Sequence, residues 1–209
     1  MSDIKERVQT GNNGKIISEM DLLEYFNSKA YIWDHICSHD PEKLTYITEL
    51  CSIMPGDRVL DIACGTGVMA SHLIGTDADF ITGIDLSNRM IEQARRKFSD
   101  PRLNFKVGNI YDFSTPCWNV AIIYSALPHF MDRIGLVNKL SRLLVQGGRF
   151  IVAHSESSRV INRVHNNQAQ AISIELRSAA EESQVFRSKF NIDTLIDTDE
   201  LYVFSGTLN

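Results

Sequence analysis

The chain has 209 residues, 44% hydrophobic and 22% charged, a composition that supports a globular domain with a full core and excludes a fibrous or disordered chain. A formal net charge of −5 argues against a nucleic-acid partner, which needs a basic surface. No apolar run approaches the roughly 20 residues that span a bilayer, so no membrane partner is expected.

The four cysteines, Cys37, Cys51, Cys64 and Cys117, form no Cys-x-x-Cys pair, and the first 15 residues contain no apolar signal region. A cytoplasmic protein with reduced thiols is the expectation. Residues 1–17 are polar and carry the breaker cluster Thr10-Gly11-Asn12-Asn13-Gly14, which predicts a flexible arm. From Ser18 to Cys37, the residues Met20, Leu23, Phe26, Ala30 and Trp33 recur at helical spacing. A second helix starts at Asp40-Pro41-Glu42, with Asp40 as N-cap and Pro41 at the first helical position, and has Leu44, Ile47, Leu50 and Cys51 as its apolar positions. His35 and His39 stand four residues apart and could hold a metal from one helix face. Ordinary polar residues at a helix end account for them more simply, and no metal site is expected.

Residues 58–74 read as a short buried strand, a tight turn and a helix, the first unit of a nucleotide-binding α/β fold. The turn, Asp61-Ile62-Ala63-Cys64-Gly65-Thr66-Gly67, has two glycines rather than the three of a pyrophosphate loop. Asp61 would repel a pyrophosphate and suits a cationic ligand, or fixes the loop through backbone N–H groups. A second strand ends at Asp85, 24 residues after Asp61, where a carboxylate accepts from ribose hydroxyls. Ser87 then caps a helix carrying Met90, Ile91, Ala94 and Phe98.

Strands follow at 103–107 and 118–126, the second leading into Leu127-Pro128-His129-Phe130-Met131-Asp132. A helix over 133–144, Gly147-Gly148 and a strand from Arg149 to His154 come next. Ser157 or Ser158 can cap a helix on which Asn162 and His165 share a face. Residues 166–188 read as a polar, alanine-rich helix, and 190–196 with 201–204 as a closing antiparallel hairpin.

The loop Asp61-x-Ala63-Cys64-Gly65-Thr66-Gly67, the segment Gly83-Ile84-Asp85-Leu86-Ser87-x-x-Met90 and the Leu143-Leu144-x-x-Gly147-Gly148-Arg149-Phe150 pattern resemble class I S-adenosylmethionine-dependent methyltransferases. Ala126, Pro128, His129, Phe130 and Asp132, with His154, Ser155, Ser157, Ile161, Asn162 and His165, resemble an uncharacterised bacterial and archaeal branch near the ubiquinone/menaquinone C-methyltransferases. The chain departs from that branch at Ser158, where an arginine is usual, and across 166–188.

The resemblance implies a Rossmann-like, seven-stranded, mostly parallel sheet with a C-terminal antiparallel hairpin and helices on both faces. It implies a single domain over 1–209, made of an arm (1–17), a helical lid (18–54) and a Rossmann-like core (55–209). The cofactor would be S-adenosyl-L-methionine, held by Asp61, Ala63, Cys64, Gly65, Gly67, Asp85, Leu86, Met90, Asn109, Ile110 and Ser125. Asn109 replaces the usual acid at the adenine amine, and its amide oxygen could still accept. The acceptor would be a small molecule. His129, then His154, are the candidate acid/base groups, with His165 lining the same cavity, for proton transfer or to ligate a metal that holds the acceptor. A sensor of S-adenosylmethionine or S-adenosylhomocysteine without turnover is the alternative. The two-glycine loop and the closing hairpin disfavour a nicotinamide oxidoreductase. Oligomeric state is not legible.

Overall fold

The computed structural model describes residues 8–10 and 16–209. Of the arm expected over 1–17, residues 1–7 and 11–15 lie outside the described residues. The described part pairs as an antiparallel two-stranded ladder, β1 (Val8–Thr10) with β2 (Ile16–Ser18). The helix expected from Ser18 to Cys37 is two helices, α1 (Glu19–Lys29) and the single turn α2 (Trp33–Ile36). Between them the chain leaves helical geometry at Ile32, at φ −109° and ψ 0°. α3 (Pro41–Leu50) starts as its sequence dictates, with the Asp40 side chain accepting from Glu42 N–H.

The order then alternates: β3 (Arg58–Ile62), α4 (Ala70–Ile74), β4 (Phe80–Asp85), α5 (Asn88–Lys97), β5 (Leu103–Val107), β6 (Trp118–Tyr124), α6 (Arg133–Leu143) and β7 (Leu144–His154). α7 (Ser158–Gln168), α8 (Ala179–Phe186), β8 (Phe190–Asp197) and β9 (Tyr202–Leu208) complete the chain. β3 to β9 form one seven-stranded sheet in the order β5-β4-β3-β6-β7-β9-β8. Five neighbouring strands run parallel, and β9 inserts antiparallel between β7 and β8. This is the expected Rossmann-like architecture.

Burial explains why the central strands read as continuous apolar runs: both faces are covered. On β6, Trp118, Ala121 and Ile123 pack under α6 and α8, while Val120, Ile122 and Tyr124 pack under α3 and α4. Phe150 of β7 stacks on Phe186 of α8 with ring centroids 4.7 Å apart and meets Phe190 edge-on at the same distance. α3 belongs to this core, since Ile47 and Cys51 are fully buried against the sheet. α1 buries no residue. Of the region 18–54 expected as a lid, only α1 and α2 lie outside the core layers.

The helix expected over 166–188 is broken. α7 ends at Gln168, a 3-10 turn spans Gln170–Ile172, and α8 begins at Ala179 under a Ser178–Glu181 capping box. The cause is a long-range clamp. The Asn162 amide donates to Leu176 O at 2.9 Å and accepts from Leu176 N–H at 2.8 Å, which holds the intervening segment out of helical geometry.

Candidate active site

A cavity of about 700 Å³ opens at the C-terminal edge of the sheet, where β3, β4, β5, β6 and β7 all end. That edge is where open α/β sheets bind ligands, because each strand delivers a loop and a helix start there. Ala63, Cys64, Gly65, Gly67, Asp85, Leu86, Met90, Asn109, Ile110, Ser125, His129 and His154 all line it. Asp61 does not; it lies beneath the loop at 3% exposure.

The loop after β3 is tied to the end of β4. Gly65 N–H donates to one Asp85 oxygen and Ser87 N–H to the other, both at 2.8 Å. Ala63, Gly65 and Gly67 all have positive φ, at 57°, 55° and 88°. The two glycines serve different ends. A Cβ on Gly65 would meet nothing nearer than Trp33 Nε1 at 4.0 Å, so this backbone faces open cavity. A Cβ on Gly67 would strike Phe98 at 2.9 Å, so that glycine is required by packing. Ser125, at the end of β6, is a second non-glycine residue at positive φ, 52°, and such conformations concentrate at functional sites.

Burial pushes the Asp61 carboxyl up to about 7, helped by Asp85, and pushes Asp85 up to about 6 against its two backbone hydrogen bonds. Two buried carboxylates next to one another favour a positively charged ligand. Asn109 is turned onto its own loop: Tyr111 N–H donates to its Oδ1 at 3.0 Å, and its Nδ2 donates to Glu19 on α1 at 2.8 Å.

Beyond Ser125 the cavity reaches three histidines. His129 Nδ1 lies 3.0 Å from Ile172 O, an atom that only accepts, so Nδ1 carries the hydrogen and Nε2 the lone pair. His129 and His165 meet edge-to-face at 5.1 Å. His154 Nε2 and His165 Nδ1 are buried with no partner among the described residues. Burial, His165 and Arg133 lower His129 to about 4; burial, His165, His129 and Arg133 lower His154 to about 3. Both are therefore neutral imidazoles near pH 7.

Arg133 positions this group. Buried in ion pair with Glu182 of α8 at 3.0 Å, it donates to Leu127 O at 2.7 Å and to Phe130 O, on either side of His129. On the opposite sheet face His39 Nδ1 contacts the Tyr124 hydroxyl at 2.8 Å, which donates to Ser155 Oγ at 2.8 Å. Sequence reasoning missed Glu19, Tyr124 and Arg133 because nothing in local pattern announces a contact with a distant segment, such as Glu19 with Asn109, Tyr124 with Ser155 or Arg133 with Glu182. His35 and His39 do not share a helix, since α2 ends at Ile36, and no cluster able to hold a metal occurs among the described residues. Asn162 faces Leu176 rather than the cavity.

Residues 59–148 match the family described as a methyltransferase domain. The match runs from β3 into β7, the strands whose ends and loops form the cavity. Over 119 residues the chain is 33% identical to the O-methyltransferase rstn1 of Aspergillus nomiae, covering 54% of this chain and 53% of that protein. Over 135 residues it is 30% identical to a ubiquinone biosynthesis O-methyltransferase of Neisseria meningitidis, covering 63% of this chain and 51% of that protein. It thus spans about half the length of the curated relatives it matches. Its fold is that of the magnesium protoporphyrin IX methyltransferase of Synechocystis, solved with bound SAH, at TM-score 0.71 and 15% identity over 91% of this chain and 100% of that one. The cavity offers the buried Asp85 carboxylate at the sheet edge and an open backbone at Gly65. No helix among the described residues is long and apolar enough to cross a membrane.

Proposed function

We propose that the protein transfers a methyl group from S-adenosylmethionine to a small-molecule acceptor bound beside His129 and His154. The observation that carries this reading is one continuous cavity lined at one end by the Gly65 loop and Asp85 and at the other by His129, His154 and His165. A sensor without turnover has no use for the second end, whose unpartnered imidazole nitrogens suit a polar acceptor.

S-adenosylmethionine supplies a methyl already activated by a positively charged sulfur. Asp85 is suited to hold the ribose, and Ala63, Cys64, Gly65 and Gly67 to hold the amino-acid end, while Leu86, Met90, Ile110 and Asn109 enclose the base. The chain's remaining task is alignment and exclusion of water. His129 Nε2, whose lone pair the Ile172 carbonyl keeps available, would take the proton that the acceptor loses when it is methylated. A neutral imidazole also avoids placing a second cation beside the sulfonium. His154 is suited to orient the acceptor by a hydrogen bond at Nε2. The largely apolar enclosure favours a compact organic acceptor over a polymer.

The test has two stages. Titration calorimetry with S-adenosylmethionine and with NAD should give binding of the first alone; binding of NAD alone would overturn the reading. Transfer of labelled methyl to a panel of phenols, enols and thiols should then occur. His129→Ala should keep cofactor affinity and lower the rate by about 10²–10⁴.

A further inference from the structure

On the S-adenosylmethionine reading above, the base of the cofactor needs a polar partner of its own in the cavity. The sheet order β5-β4-β3 fixes a direction. With the amino-acid end over the loop after β3 and the ribose at Asp85 on β4, the purine must extend toward the exit of β5, at Gly108, Asn109 and Ile110. A 6-aminopurine presents an amine there, which needs an acceptor.

Asn109 is poorly placed to be that acceptor. Tyr111 N–H can only donate, so the atom facing it is Oδ1, and the atom left for the cavity and for Glu19 is the donor Nδ2. Glu19 lines the same cavity and brings a carboxylate, whose oxygens accept several hydrogen bonds at once. We propose that Glu19, delivered by α1, recognises the 6-amino group of the cofactor, with Asn109 as its positioning residue. α1 buries no residue and is tied to the core by polar contacts, among them Ser87 Oγ to Asn27 Oδ1 at 2.7 Å. Recognition of the base and docking of α1 are then one event.

S-adenosylhomocysteine and its analogue lacking the 6-amino group separate this from other accounts. Titrated into the wild-type protein, loss of the amine should weaken binding about ten- to a hundred-fold, the range for a hydrogen bond to a charged group. In Glu19→Ala the two compounds should bind within about threefold of each other, because the amine has no partner to lose. A Glu19→Gln/Asn109→Asp double variant should restore the penalty, since a carboxylate then stands at position 109 with a donor beside it. An undiminished penalty in Glu19→Ala, with the melting temperature unchanged, would overturn the assignment while leaving the cofactor in place. Failure of the wild-type protein to bind S-adenosylhomocysteine at all would overturn both.

Discussion

α1 and α3 lie next to the same cavity and are held by opposite means. α3 is cemented by apolar burial: Leu44, Ile47 and Cys51 sink into the sheet face with Met69 and Leu73. α1 and α2 are held largely by polar ties: Asn27 to Ser87, Asp34 to Thr66 at 2.6 Å and to Lys97 at 2.8 Å, and Glu19 to Asn109. Partly exposed polar contacts contribute about 1 kcal/mol or less each, whereas full burial of a large aliphatic side chain contributes about 1.5–3 kcal/mol. The first kind of attachment can open without unfolding the second.

The most damaging change should be in the core. Phe150→Ala removes a fully buried ring in contact with Phe186, Phe190 and Phe204, and should cost about 3–5 kcal/mol in urea unfolding. Asp85→Ala should leave that stability largely in place and weaken S-adenosylmethionine binding at least about tenfold, by titration calorimetry, through the lost charged contact and the released Gly65 loop.

pH should divide the molecule in two ways. His129 and His154 have folded values of about 4 and about 3, below the 6.5 of the unfolded chain. The unfolded state therefore binds more protons, and stability that is intact above pH 6.5 declines as pH falls toward those values. His154→Asn should flatten this acid limb in melts from pH 7 to 4. Asp85 and Asp61 titrate oppositely, with folded values of about 6 and about 7 against 3.8. Their contribution to folding falls as pH rises through that window, while affinity for a cationic ligand rises with it. Binding of S-adenosylmethionine relative to S-adenosylhomocysteine should therefore tighten between pH 5 and 8, and a flat ratio would sink the idea that the charge of this carboxylate pair is felt at the sulfonium. The smallest global effect belongs to Asn27→Ala. It should change unfolding free energy by less than about 1.5 kcal/mol yet speed amide exchange across residues 19–29.

The parts of the fold legible in the sequence were those fixed locally. Asp40 and Ser87 cap the helices they were expected to cap, and of the two candidates Ser157 and Ser158 the first caps α7, because a cap acts within three residues. The central strands were legible because burial on both faces leaves a continuous apolar run. The break at 169–178 was not, since it depends on Asn162 reaching Leu176. Likewise, the loop residues that line the cavity follow from a strand–turn–helix pattern. The Glu19–Asn109 bridge and the Arg133–Glu182 pair join segments whose separation gives no periodic signal.

Phe26 of α1 touches the His129 ring edge-on, with centroids 5.0 Å apart. α1 is thus part of what keeps that imidazole dry. A proton taken up by His129 while the helix is docked creates a charge in a place that disfavours it, and the charge is relieved when water returns. On the role proposed for His129, proton capture would then work as a spring: the chemical step itself would push α1 away and give product departure a direction. Holding α1 down by a cross-link should slow turnover while leaving the first methyl transfer in a single-turnover experiment intact.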